Sequence, residues 1–238
     1  VLQAITKTFI NELIARPIFY ITAILSSQIL AIRYAGRFDF NMNEMKRYLG
    51  KSAYLACCYA GFSMNGTIKE AIGAGKSGFL STVYDVSSDW KDHANPRWGK
   101  ELSNIMFIES NDKLAETTID LYTKDISGWL EDDGLERGHK AFAFVTETMD
   151  VKAYFESKMD IKKLGMLLQI VDDVLDFEED QISHDTNCLN SPRKMKWLKF
   201  LISEFSKKAL SNLFGKNTVL STTILFALEK AKKMLNTS

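Results

Sequence analysis

Proline is scarce in this chain, with three residues in 238, at positions 17, 96 and 192. Because proline disrupts helices from within, long stretches are free to be helical. Cysteine is equally scarce, and two of the three are the adjacent Cys57 and Cys58. That spacing offers neither a disulfide framework nor a zinc-ligand pattern, which suits a reducing compartment, and a cytoplasmic location is expected. The three histidines, His93, His139 and His184, are scattered and read as surface or boundary residues. There is no excess of charge of either sign: Lys plus Arg and Asp plus Glu number 30 each. No nucleic-acid partner is therefore expected, and any electrostatic function must be local. A long hydrophobic run is also lacking. The longest, Pro17 to Ile32, is interrupted by Ser26, Ser27 and Gln28, and its sixteen residues fall short of the roughly 20 that a membrane helix needs. The expectation is a buried core helix and no transmembrane segment; no signal peptide is evident.

What is present is ordinary for a globular protein with a substantial core: 46% hydrophobic and 25% charged residues. Apolar positions at Ile5, Phe9, Ile10, Leu13 and Ile14 follow a helical period over 2–15, and 18–35 reads as a nearly all-apolar helix. Asn41 to Glu44 offer N-cap chemistry for a helix running to about Phe62, and Thr67 opens a segment to Trp90. The polar stretch 91–100 reads as a loop. A helix-like segment from Glu101 follows, then helices over 111–130, 135–149, 157–179, 194–213 and 217–235, with a polar loop at 180–193. Convincing strand alternation is missing, and no internal repeat of fixed period stands out. Residues 1–238 are thus expected to form a single all-α domain, a bundle of about eight to ten helices.

The most informative stretch is Gly165-Met166-Leu167-Leu168-Gln169-Ile170-Val171-Asp172-Asp173-Val174-Leu175-Asp176. It reads as a buried helix, apolar on nearly every side, into which three carboxylates are set. Asp172 and Asp176 are four apart and Asp173 and Asp176 three apart, so the acids crowd one end of one face. Like charges at that spacing repel, and an unpaired buried carboxylate costs several kcal/mol or has its pKa raised. A divalent cation resolves both problems, and hard oxygen ligands favour magnesium. The plainer alternative is a helix end reaching water with solvated acids.

Two further stretches carry weight. Gly73-Ala74-Gly75-Lys76-Ser77 looks like a phosphate loop but lacks the earlier glycine, where the chain has Glu70, and lacks a preceding strand. A flexible or closely packed helix start is the better reading. Asp85 and Asp89 stand four apart on another helix, after Gly78-Phe79-Leu80. Alone such a pair is weak, but two acidic helix ends facing across a bundle would form a mouth for magnesium ions and a diphosphate.

At this point the chain resembles a family. The pattern Gly-x-x-Leu-Gln-Ile-x-Asp-Asp-x-x-Asp, here Gly165 to Asp176, is similar to the second aspartate-rich motif of trans-isoprenyl diphosphate synthases. Asp85-x-x-x-Asp89 resembles the shortened first motif of squalene/phytoene-type and class I terpene synthases. The resemblance implies an all-α isoprenoid-synthase fold with a central apolar cavity, in which magnesium, three ions, holds a prenyl diphosphate. Asp85 and Asp89 would bind two of the ions; Asp172, Asp173 and Asp176 would serve the third, with Gln169 facing the cavity. Phe79, Tyr84, Phe142 and Phe144 would offer aromatic faces to a carbocation, against a plain core role. Arg97 and Arg137 are candidate diphosphate contacts, against pairing with a local acid. Ser81, one turn before Asp85, would line the pocket floor and, being small, leave room for a chain of C20 or longer. Replacing Ser81 by Phe is then expected to shift acceptance toward shorter prenyl diphosphates in a substrate series.

Elongating synthases carry paired arginines after the first motif and an early Gly-Gly-Lys-x-x-Arg-Pro signature. Here only Arg97-Trp98-Gly99-Lys100 follows, and that signature is absent. A condensing enzyme must hold two diphosphates and needs two basic sites, whereas a cyclase needs one. The expectation is a magnesium-dependent class I terpene synthase. The alternatives are a prenyltransferase, either chain-elongating or joining two prenyl units, and a non-catalytic subunit that keeps the fold. Helix-pair dimers are common in the resembled family, so a homodimer is the candidate assembly.

Overall fold

The computed structural model describes residues 7, 10–11, 13–89, 101, 104–105, 107–109, 135–183, 187–214 and 218–236; the side chains of 84–89, 137, 183, 207 and 218–219 lie outside that description. The described chain is all-helical. Its elements are α1 (Pro17–Ala35), α2 (Met42–Ala60), α3 (Ile68–Asp89), α4 (Leu135–Thr148), α5 (Lys152–Glu156), α6 (Ile161–Ser183), a 3-10 turn (Cys188–Asn190), α7 (Lys194–Glu204), α8 (Lys207–Phe214) and α9 (Thr218–Asn236). No strand occurs among the described residues. The helix expected over 111–130 and the loop expected over 91–100 lie outside them.

The chain forms two compact units, one of Leu13–Lys124 with Phe144–Lys152, the other of Val1–Glu12, Asp125–Ala143 and Ala153–Ser238. In the first unit, α1, α2 and α3 pack mutually. Asn41 starts α2 with a capping box: its side chain accepts from the Glu44 amide at 3.1 Å, and its own amide donates to Glu44 Oε2 at 2.7 Å. Thr67 starts α3 the same way, accepting from the Glu70 amide at 3.1 Å. Small residues then set how close the helices come. A Cβ on Gly75 would lie 2.3 Å from the Ala23 carbonyl oxygen, and one on Gly78 would lie 2.4 Å from the Ala56 nitrogen. The Gly73–Ser77 stretch is therefore the middle of a tightly packed helix rather than its start. Gly75→Ala is expected to lose about 1–3 kcal/mol in a denaturant titration, because backbone, not a movable side chain, opposes the added methyl.

The close packing exposes a repeat that reading along the sequence missed. Ser27-x-x-Leu30-Ala31-x-x-Tyr34-Ala35-Gly36 recurs as Ser52-x-x-Leu55-Ala56-x-x-Tyr59-Ala60-Gly61, and in part as Ser77-x-x-Leu80-Ser81-x-x-Tyr84. Each copy lies on one helix of the triad, and Ser27, Ser52 and Ser77 are fully buried. The Ser27 and Ser52 hydroxyls hydrogen-bond each other across α1 and α2. The period escapes a pattern search because the first two copies share only six positions and the third keeps three of them.

Helix α1 departs from the expected buried core helix. One face is buried, through Phe19, Tyr20, Ala23, Ser27, Ala31 and Tyr34. The opposite face leaves Ile18, Ile21, Leu25, Ile29 and Ile32 exposed. At 19 residues, α1 is the one helix among the described residues long and apolar enough to cross a membrane by length and composition.

In the second unit, α6 packs against α9, α7 and the 3-10 turn. Its core includes Phe155 in edge contact with Phe142 at 5.4 Å, and Leu164, Leu167, Val174, Leu198 and Leu201, all buried. Two boundaries differ from expectation for local reasons. Asp160 caps α6 by accepting from the Lys163 amide at 2.8 Å, so the helix begins at Ile161 rather than 157. The helix expected over 194–213 is broken at Phe205, which is buried, and Ser206 caps the restart by accepting from the Ala209 amide at 3.1 Å.

Candidate functional site on helix α6

Helix α6 presents Gln169, Asp173, Asp176 and Asp180 at spacings of four, three and four, so at about 100° per residue they share one face. Asp172 sits about 100° round from Asp173. The structure separates the three predicted acids by environment: Asp173 is buried, while Asp172 and Asp176 are exposed.

The surroundings of Asp173 account for its burial. Its Oδ1 accepts from Gln169 Nε2 at 2.9 Å, and its Oδ2 accepts from the Cys188 backbone amide at 2.9 Å. A carboxylate only accepts, so the Gln169 amide must turn its NH2 toward it. Asn187 Nδ2 donates both to the Asp173 carbonyl oxygen at 2.7 Å and to Asp180 Oδ2 at 2.8 Å, while its Oδ1 accepts from the Leu189 amide at 2.8 Å. Asp173 thus docks the 187–190 turn onto α6. Burial pushes its pKa up, and the bonds from Cys188 and Gln169 only partly offset that. Asp176 is also raised, first by burial, then by Asp180 and Glu179, with Lys230 opposing. Lys230 Nζ bonds Glu178 Oε2 at 2.5 Å and the Leu175 carbonyl at 3.0 Å, tying α9 to the same turn of α6.

Gln169 is held from a second side. A Cβ on Gly138 would lie 2.4 Å from Gln169 Cβ, and one on Gly165 would lie 2.6 Å from His139 Cα, so α4 and α6 touch backbone to backbone. His139 is consequently half-buried, and burial, then Lys162, lowers its pKa and favours the neutral ring. Gly165→Ala is expected to cost about 1–3 kcal/mol, because two helix backbones would have to part. Thermal unfolding followed by circular dichroism checks it.

The other predicted residues fall as follows. Phe79 is fully buried and stacks on Tyr34 at 5.5 Å, a core contact of the first unit. Ser81 accepts from the Tyr59 hydroxyl at 3.1 Å, so α2 occupies its oxygen. Phe142 and Phe144 are buried. Asp85, Asp89 and Tyr84 lie on the last turns of α3, and Arg137 on the first turn of α4, with side chains outside the described residues; Arg97 is outside them altogether. Asp85 and Asp89 belong to the first unit, and Asp172, Asp173 and Asp176 to the second. Sequence reasoning missed Asp180, Asn187 and Lys230. Asp180 was legible as the next acid at helical spacing; the other two meet α6 only through the fold.

Each oxygen of Asp173 accepts one protein hydrogen bond, which leaves a lone pair on each for a magnesium ion. Asp172 and Asp176 also fit a cation that keeps several waters and binds through one or two carboxylates plus substrate phosphate oxygens. Among the described residues no three acid, histidine or cysteine side chains converge into a metal cage of their own. No family model, no curated protein and no solved structure matches the chain.

Proposed function

We propose that this chain is a class I terpene synthase of the isoprenoid-synthase type, ionising and cyclising one prenyl diphosphate of C20 or longer and releasing diphosphate. The observation that supports it best is the motif from Gly165 to Asp176. It lies within one helix, and Asp172 and Asp176 stand four apart on that helix with exposed carboxylates. Magnesium, when bound, supplies charge neutralisation for the departing diphosphate, and Asp172 and Asp176 would hold it. The resemblance assigns Asp85 and Asp89 to further ions. The resemblance assigns Asp173 to the same ion, and Asp173, bonded by Gln169, also holds the turn after α6 through the Cys188 amide. Asp176, partly desolvated and next to other acids, would be relieved by an added positive charge.

One observation favours a second reading, a non-catalytic subunit that keeps the fold: the central acid of the motif is committed to holding a turn. The experiment that separates the readings is product analysis. The purified chain is incubated with C10 to C25 prenyl diphosphates and magnesium, with and without isopentenyl diphosphate. A hydrocarbon or alcohol from a single substrate is expected. A lengthened diphosphate that needs the second substrate would make the chain a prenyltransferase, and no product in any condition would leave the subunit reading.

A further inference from the structure

We propose that α1 is the interface of a homodimer, in which two copies meet antiparallel along the seam Ile18, Ile21, Leu25, Ile29 and Ile32. These five side chains are between 50% and 70% exposed. Their spacings are three, four, four and three, which keeps them within an arc of about 80° at 100° per residue. That is the narrow stripe of a helix-to-helix seam rather than the broader face of a helix lying in a bilayer.

The occupant follows from the symmetry of the seam. Spacing and identity both read the same from either end: Ile, Ile, Leu, Ile, Ile about Leu25. In a two-fold interface, residue i meets j and j meets i, so a surface must complement its own reversal. Antiparallel pairing about Leu25 sets Ile18 against Ile32, Ile21 against Ile29, and Leu25 against itself. Just before α1, Ile14 is 71% exposed as well.

Area and rigidity agree with a second copy. With Ile14 included, the exposed aliphatic surface is on the order of 600 Å² per chain, the lower end of what each partner buries in a specific interface. No charge interrupts residues 17–32, so the seam is desolvated without stranding an ion. Helix α1 is fixed to α2 by the Ser27–Ser52 bond and by Gln28 Nε2 donating to the Leu49 carbonyl at 3.0 Å, so little ordering is needed on association. None of this depends on the enzymatic reading.

The test is the mass of the full chain in solution, by light scattering on a sizing column across micromolar concentrations. Twice the chain mass is expected for the wild type. Leu25→Glu, which would set two carboxylates face to face, is expected to weaken the dimer by about a hundredfold or more while the helical circular dichroism persists. Under mild oxidation, Leu25→Cys should cross-link to its own copy above the wild-type background. Ile18→Cys should link only when mixed with Ile32→Cys. A wild-type monomer would overturn the proposal, whether or not it binds phosphatidylcholine vesicles. So would a dimer indifferent to Leu25→Glu, or one in which Ile18→Cys links to itself, which is the signature of a parallel pair.

Discussion

Replacing Asp173 by alanine is expected to lower the unfolding free energy by about 3 kcal/mol, among the larger losses a single substitution produces. The reasoning starts from burial. The side chain is 4% exposed, and its two oxygens accept from Gln169 and from the Cys188 amide. Hydrogen bonds to a charged group contribute roughly 1.5–3 kcal/mol each, and a buried donor left without a partner carries a further desolvation cost. Against that stands the cost of keeping the carboxylate ionised where burial raises its pKa, which trims the total. Asp173→Asn keeps the shape but turns an NH2 toward one of the two donors, so an intermediate loss is expected. Hydrogen exchange localises the effect: the Cys188 amide should lose protection in both variants before α7 or α9 does.

Replacing Glu70 by alanine is expected to cost a similar amount, about 3 kcal/mol, in the other unit. Glu70 is 5% exposed and gathers the loop before α3: it accepts from the Ser63 hydroxyl at 2.5 Å, the Gly66 amide at 2.8 Å and the Asn65 side chain at 3.1 Å. Burial pushes its pKa up, but the bonds from Ser63, Asn65 and Thr67 together outweigh it and leave the carboxyl below its ordinary value. A depressed carboxyl contributes stability that is present above its unfolded pKa, about 4.3, and is lost as pH falls through the lower folded value. Glu70→Gln should therefore flatten the acid limb of a stability-versus-pH curve as well as lower its plateau, both read from urea titrations.

The acids of α6 carry the opposite sign. Asp176 is raised in the folded state, so between about pH 3.9 and that raised value the folded chain binds more protons than the unfolded one. Stability from this group is fully present below the unfolded pKa and declines as pH rises. Asp176→Asn is expected to raise Tm near neutral pH, with the gap closing below about pH 4.

Much of the helical order was legible because the local signals are covalently close. Asn41 with Glu44, and Thr67 with Glu70, announce α2 and α3, and the chain between them contains no proline. The break at Phe205 was not, although Ser206 is an ordinary capping residue, because an apolar period continues on both sides of it. The α6 motif was legible as a cluster of acids, but not their division of labour. Helical spacing places Asp173 beside Asp176, yet what distinguishes them is a turn fifteen residues further on whose Cys188 amide reaches Asp173. The exposed face of α1 was hidden for a related reason: an all-apolar segment gives no contrast from which to tell the side that meets α2 and α3 from the side that does not.

The most direct measurement of the central claim is calorimetric titration of a C20 prenyl diphosphate into the chain in the presence of magnesium, repeated with Asp176→Asn. The account predicts saturable binding that disappears when magnesium is chelated and weakens at least tenfold in the variant, about 1.4 kcal/mol. Binding that is unchanged by chelation and by Asp176→Asn, or no binding at any chain length, would contradict it.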